Sequence, residues 1–481
     1  MLKAFFRDSI VYGLAKMLTG AIALIALPIY TRALSPADYG VVDLVTAVAA
    51  IGHVMIALEI SQGFGRYVPA ADGRDARAGY TSTALWFTVG AYSLFAAIVF
   101  PFAQPISVVL FGSDAYTAVT RASTLVIWST GIFYLVQNVL RYERRAGCYA
   151  VVSILFSLLS LAVTVWLLLV VGSGLIGVFV GQFAAGVVAA SVGLWYSRRS
   201  IALIFDRRRW REMVWFSAPL VPSGLGIMLT TYVDRYAIVR LLSLDDLGLY
   251  GVAFRLASIV GVALAGVVSA VAPLIYQHHH EPGTPAQIAR MFHWFLALAL
   301  PLVLFLGLFA PELTRLVAPA AYRGATSLVF VLSAAILIAS CYNFAPGLWI
   351  AKRTGRVALI GLASGAINLV LNLVLIPRLG LIGAGVSTLT SASLACIAHF
   401  ASSQALYPVP FRWRRLIGAG LLVAVTGVVI GRGATDGWLP AQIELLARAA
   451  AWLLVSAITA ALLVGAQDVR LASHRLRQVF S

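Results

Sequence analysis

Runs of about twenty consecutive apolar residues recur along this chain, and they restrict its fold more than any other feature. The stretch Val151–Val171 carries no charge at all. A run of that length matches a helix crossing the roughly 30 Å hydrocarbon core of a bilayer. In hydrocarbon every backbone N–H and C=O must be satisfied within the structure, which leaves helices or a closed barrel. A barrel needs strands of about ten residues with alternating polarity, and the runs here are longer and unbroken. Composition agrees: of 481 residues, 61% are hydrophobic and 11% charged, against about 25% charged in soluble domains. Mean hydropathy is +0.93. The chain reads as an all-α integral membrane protein.

Fourteen spans are expected, near 9–31, 40–62, 79–103, 120–140, 149–171, 174–196, 213–240, 247–276, 290–311, 324–348, 355–376, 380–402, 414–431 and 446–466. An even number puts both termini on one side. Basic residues favour alternate loops, with about three on the N-terminal side for each one opposite, which makes that side cytoplasmic. The expected location is therefore a plasma membrane, multi-pass, with both termini in the cytoplasm. These short basic loops account for the net charge of +17, so no nucleic-acid partner is inferred. Lys3 and Arg7 precede the first apolar run, which lacks a small-residue cleavage site and reads as a span. Cys148, Cys341 and Cys396 are isolated, with no disulfide framework or CxxC metal site. His278, His279 and His280 have no acidic cluster to complete a metal site and read as a solvated loop.

The chain repeats itself. Arg32 to Gly40 and Arg240 to Gly248 both read R-x-L-S-x-x-D-x-G. Arg144-Arg145-Ala-Gly147 matches Lys352-Arg353-Thr-Gly355, and Gly174-Leu-Ile-Gly177 matches Gly380-Leu-Ile-Gly383, in the same order and at nearly the same offset. Six spans per copy keep both copies in one orientation, so two parallel-related six-helix lobes and a terminal helix pair are expected. The corresponding segments are 1–200, 201–405 and 406–481, the last including a cytoplasmic tail. Ser35 and Ser243 should cap the following helices, with Asp38 and Asp246 in the first turn. Gly40 and Gly248 should permit close helix packing.

Charge at membrane depth costs about 2.5–3.5 kcal/mol on insertion scales, so each charged or titratable residue there is a candidate site. Lys16 falls in the first span, Asp234 and Arg235 late in the seventh, and Arg255 in the eighth. His53 lies mid-way along the second span, with Asp43 and Glu59 toward its two ends. Duller readings stand beside these. Lys16 can snorkel to the interface, and His53 can be an ordinary interhelical donor. Asp234 and Arg235 are sequence neighbours that point in different directions, so each is expected to need its own partner. Arg255 suits a polar cavity lining. Asn368 and Asn372 share a helix face and read as interhelical glue. Prolines 28, 101, 219, 222, 301 and 346 fall inside spans, and Pro219 and Pro222 mark the start of the seventh as the expected broken helix. No Walker A loop, HExxH or GxSxG is present, so no enzyme is inferred and ATP is not the direct power source.

Several stretches together resemble the Wzx-type polysaccharide flippases of the multidrug/oligosaccharidyl-lipid/polysaccharide exporter superfamily. They are Leu27–Gly40 with Leu27-Pro-Ile-Tyr-Thr-Arg, Pro219-Leu-Val-Pro222, Val233-Asp-Arg-Tyr236, Gly248-Leu-Tyr-Gly-Val-Ala253, and Asn368 through Gly385. The similarity spans residues 1 to about 400. It implies fourteen helices in two lobes around a cationic cavity. It also implies transfer of an undecaprenyl-pyrophosphate-linked oligosaccharide from the cytoplasmic to the periplasmic leaflet for O-antigen or exopolysaccharide assembly. Proton or sodium coupling is implied, with no other cofactor. The implied partners are the anionic lipid-linked oligosaccharide, membrane lipids and the polysaccharide polymerase machinery. Arg32, Arg66, Asp234, Arg235 and Arg240 fall on the family-like motifs; Lys16, His53 and Arg255 come from the depth argument. Substrate contacts are thus expected from Lys16, Arg32, Arg66, Asp234, Arg235, Arg240 and Arg255, and ion coupling from His53, Asp43 and Glu59. A small-molecule or drug exporter of the same superfamily, or a peptidoglycan-precursor flippase, is the alternative. A membrane glycan ligase or polymerase would need a large outer loop that the chain lacks.

Overall fold

A computed structural model describes residues 2–202, 204–436 and 441–464. The tail expected after residue 466 lies outside the described residues. Its helices are α1 (Leu2–Ala33), α2 (Pro36–Ile56), α3 (Ile60–Tyr67), α4 (Arg74–Val99), α5 (Ala103–Phe111), α6 (Thr117–Tyr142), α7 (Ala146–Trp166), α8 (Gly174–Ser197), α9 (Arg207–Ser217), α10 (Val221–Leu241), α11 (Leu244–His278), α12 (Thr284–Leu308), α13 (Ala310–Val317), α14 (Thr326–Cys341), α15 (Gly347–Ile350), α16 (Thr354–Leu379), α17 (Leu381–Gln404), α18 (Trp413–Asp436) and α19 (Ala441–Leu463). Among the described residues 13 helices are long and apolar enough to cross a membrane. The chain is an all-α integral membrane protein.

The expected second span, 40–62, breaks at 57–59 between α2 and α3, and the expected seventh, 213–240, has no counterpart among the 13. It is split into α9, a 3-10 turn at Ala218–Leu220, and α10. Pro219 and Pro222 supply no backbone N–H, so a continuous helix through them would lose bonds and clash with the preceding turn. The interior of α10 also carries Thr230, Thr231, Asp234 and Arg235, and it is not among the 13 strongly apolar helices.

The fold groups into two units, Met1–Gly248 and Leu249–Ser481. In the first, α8 packs on α6 and α7, α7 on α1, and α6 on α4, while α9 lies against α3 and α10 against α2. Phe64, Tyr92, Met213 and Val139 form one buried cluster there. In the second, α17 packs on α16 and α14, and α12 on α14, α18 and α19. Phe292 and Phe295 on α12 meet Phe344 at ring-centroid distances of 5.1 and 4.8 Å, and Phe292 meets Phe400 at 5.6 Å. Asn372 Nδ2 donates to Asn368 Oδ1 (2.8 Å), and Asn368 Nδ2 to Ser391 Oγ (3.1 Å), a buried polar chain joining α16 to α17. The Arg448 guanidinium, 5% exposed, binds Glu312 at 2.9 Å and also Glu444, fastening α19 to α13.

Each repeated motif has the same local geometry in both copies. Asp38 N–H donates to Ser35 Oγ at 3.1 Å, and Asp246 N–H to Ser243 Oγ at 3.1 Å. The serine hydroxyls donate back to the carboxylates at 2.7 and 2.6 Å. Arg144 and Lys352 both sit in the left-handed region, at φ 58° and 55°. In each case the next N–H reaches back to the helix before it, Arg145 to the Leu140 carbonyl and Arg353 to the Leu348 carbonyl, both at 2.9 Å. This is a Schellman-type helix end. Gly174 and Gly380 match as well, at φ 58° and 59°.

Gly40 and Gly248 make a reciprocal contact within the first unit. A Cβ on Gly40 would lie 2.2 Å from the Leu244 carbonyl oxygen, and one on Gly248 would lie 1.9 Å from that of Pro36. Only glycine allows the first turns of α2 and α11 to approach so closely.

Candidate functional site

Asp43 is seven residues into α2, roughly 10 Å from its first turn. Arg235 lies six residues before the end of α10, at a similar depth. These two helices pack together, and the capping box at Ser35 fixes where α2 begins. The result is a buried charge cluster. Arg235 Nε donates to Asp43 Oδ2 at 3.2 Å, and Nη1 to Asp234 Oδ1 at 2.8 Å. Nη1 also reaches the Thr231 carbonyl at 2.9 Å. The guanidinium carbon lies 5.1 Å from the Tyr232 ring centroid. Arg235 is 1% exposed and is the largest fully buried side chain among the described residues.

This corrects the expectation that Asp234 and Arg235 could not pair. The long arginine side chain folds back, so that one Asp234 oxygen accepts both the Arg235 backbone N–H (2.9 Å) and its Nη1. Neighbouring positions on a helix do diverge at Cβ, but four methylene-length bonds of reach overcome the divergence. Asp43, expected on the ion-coupling side, is here a direct partner of Arg235.

His53 is tied into a different place. Its Nδ1 is 2.8 Å from Tyr92 Oη and its Nε2 is 3.3 Å from Thr130 Oγ1. Thr130 donates its own hydrogen to the Val126 carbonyl. One neutral tautomer satisfies every group: Tyr92 donates to Nδ1, and Nε2–H donates to Thr130. His53 thus joins α2, α4 and α6.

Glu59 stands at the break between α2 and α3, where Leu58 and Glu59 are both left-handed at φ 50° and 51°. Two consecutive non-glycine residues in that region are a costly arrangement, of order 1–3 kcal/mol each. Ser61 Oγ donates to Glu59 Oε2 at 3.3 Å. A Cβ on Gly224 of α10 would lie 3.6 Å from Glu59 Oε1. The α2–α3 break therefore lies beside the start of α10.

Lys16, Arg32, Arg66 and Arg240 are exposed on the first unit, and Arg255 is half-buried on α11 in the second. Arg240 binds the Val109 carbonyl and lies 5.1 Å from the Tyr236 ring centroid. Sequence reasoning missed Thr231 and Tyr232, although their i−4 and i−3 spacing from Arg235 places them on its face. It also missed Tyr92 and Thr130 beside His53, which no local spacing reveals. Among the described residues no cluster of His, Cys, Asp or Glu is arranged to hold a metal ion.

Comparison with known proteins adds a family. The profile of the family described as "Polysaccharide biosynthesis protein" matches residues 5–279. No curated protein sequence matches the chain. Among solved structures, lipid II flippase MurJ in an inward closed conformation superposes with a TM-score of 0.71 at 12% identity, covering 95% of this chain and 99% of that one. A multidrug resistance MATE family transporter of the MOP superfamily, in an inward-facing conformation, gives 0.69 at 14% identity, covering 82% and 97%. An outward-facing MATE structure gives 0.57 at 13%, covering 83% and 95%. At these identities the superpositions show the fold alone. The chain belongs to the polysaccharide biosynthesis protein family, as a multi-pass membrane protein with the fold of MurJ and the MATE transporters.

Proposed function

We propose that this protein is a flippase for a lipid-linked oligosaccharide. It carries an undecaprenyl-pyrophosphate-linked glycan from the cytoplasmic to the periplasmic leaflet of a bacterial inner membrane, by alternating access. The observation that carries this reading is the polysaccharide biosynthesis family match over residues 5–279. The fold shared with a lipid II flippase supports it. The drug-exporter alternative is not favoured by that family.

The chemistry fits. A pyrophosphate headgroup cannot cross hydrocarbon bare, because an isolated charge loses its hydration there. Guanidinium groups replace that hydration by bidentate hydrogen bonds. Arg235 is held between two carboxylates, which like phosphate offer anionic oxygens as acceptors, so its guanidinium can pass from one kind of oxygen to the other. In this reading Arg235 and Arg255 meet the headgroup, Asp234 holds Arg235, and Lys16, Arg32, Arg66 and Arg240 guide the anion along the protein. Asp43, Glu59 and His53 are the proposed groups through which a proton or sodium gradient acts.

Removing the gene in its native host tests the function. Lipid-linked glycan should accumulate facing the cytoplasm and surface polysaccharide should disappear. Unchanged export of every surface glycan would overturn the proposal. Arg255→Ala should abolish export while leaving protein in the membrane at wild-type amount. Full export in that variant would remove Arg255 from the substrate path.

A further inference from the structure

Three turns on one membrane face of the first unit are rich in arginine: the segments around 66–77, 141–145 and 198–211. The fold stitches them together. Arg74 Nη2 donates to the Arg199 carbonyl at 3.1 Å. The backbone N–H groups of Ala202 and Asp206 donate to Ser82 Oγ (2.6 Å) and Thr83 Oγ1 (3.1 Å) on α4. Arg145 Nη1 donates to the Tyr196 carbonyl. Between the turns lies a cavity of about 670 Å³, lined among others by Arg74, Arg77, Arg144, Tyr142, Glu143 and Ser200.

The electrostatics of this cavity are one-sided. Three guanidinium groups face it with one carboxylate, and that carboxylate, Glu143, is already 3.7 Å from Arg145. None of Arg74, Arg77 or Arg144 forms an ion pair among the described residues. Arg77 Nε is used on the Ala71 carbonyl at 3.1 Å, which orients the fork without neutralising it. The level of the cavity is equally informative. Arg74 is the first residue of its span, Tyr142 the last of its own, and Ser200 the last of a third. The ends of three spans thus meet at the cavity, and span ends are where hydrocarbon gives way to headgroups.

We propose that this cavity binds the phosphate of a membrane lipid headgroup in the leaflet on that face, apart from the Asp43–Asp234–Arg235 cluster. A phosphodiester or a pyrophosphate on a lipid anchor offers planar-fork acceptors to three guanidinium groups. Basic pockets between transmembrane helices at headgroup level are suited to such lipids. The lipid tail stays in the bilayer beside the helix ends, and the phosphate supplies the charge that the cavity lacks. The site needs only the first unit's own side chains and does not depend on the identity of the cargo.

The test uses the purified full-length protein in neutral detergent, with lipid retention read by native mass spectrometry. The probes are phosphatidylglycerol, farnesyl pyrophosphate, phosphatidylcholine and inorganic pyrophosphate. A variant carrying Arg74→Gln, Arg77→Gln and Arg144→Gln is compared with one carrying Arg207→Gln, Arg208→Gln and Arg211→Gln, which removes the same charge elsewhere on the face. Each guanidinium that lines the cavity is worth about a fivefold factor for a lipid phosphate bound in it. The first variant should therefore retain phosphatidylglycerol or farnesyl pyrophosphate at least about tenfold less well than wild type, while the second binds as wild type does. Whichever of the two lipids is lost more identifies the source of the phosphate, bulk phospholipid or a pyrophosphate-linked carrier. Equal retention in both variants, retention of phosphatidylcholine as strong as that of phosphatidylglycerol, or binding of inorganic pyrophosphate without either anionic lipid would overturn the proposal.

Discussion

Arg235 is the residue on which most of the buried charge turns. Removing it leaves Asp43 and Asp234 facing each other's vicinity without their guanidinium. Breaking a buried pair by deleting one partner costs about 3–5 kcal/mol in soluble proteins. Arg235→Ala should therefore lower the melting temperature in detergent clearly more than Asp43→Asn, which keeps the Asp234 contact. Equal melting of Arg235→Ala and wild type would show that the cluster holds no structural energy. Adjacent residues also show where sequence reasoning fails. Helix geometry separates Asp234 from Arg235, and only the structure shows a side chain long enough to fold back.

At the scale of elements, the apolar spans were legible because hydrophobic length in a bilayer is a blunt, local signal. The seventh was half legible. Pro219 and Pro222 announced the break between α9 and α10, but the polar interior of α10 makes sense only once α2 lies beside it. The repeat was legible to the level of backbone torsions, since left-handed Arg144 and Lys352, and Gly174 and Gly380, occupy matched positions. By contrast, the Tyr92–His53–Thr130 bridge joins three helices and has no sequence signature. The close approach of α2 to the first turn of α11 yields a firm expectation. Gly40→Leu would force a side chain into a space where even Cβ lies 2.2 Å from a carbonyl oxygen. The amount of folded protein recovered from membranes should drop severely, and a normal yield of monodisperse protein would refute that contact. Ser35→Ala removes one capping box and should cost about 1 kcal/mol, visible as a small shift in melting temperature.

For the molecule as a whole, chain order adds a constraint that contact geometry alone does not show. Asp43 and Arg235 are 192 residues apart in sequence. A ribosome adding about 5–20 residues per second needs roughly 10–40 s to make the second after the first. Throughout that interval α2 carries a carboxylate whose partner has not been synthesised. Nascent intermediates must therefore keep that helix beside the insertion machinery, protonate the acid, or leave the segment incompletely inserted. Chains truncated after α9 should accordingly be degraded faster than chains truncated after α10, and the buried guanidinium would then act as a completion check during biogenesis.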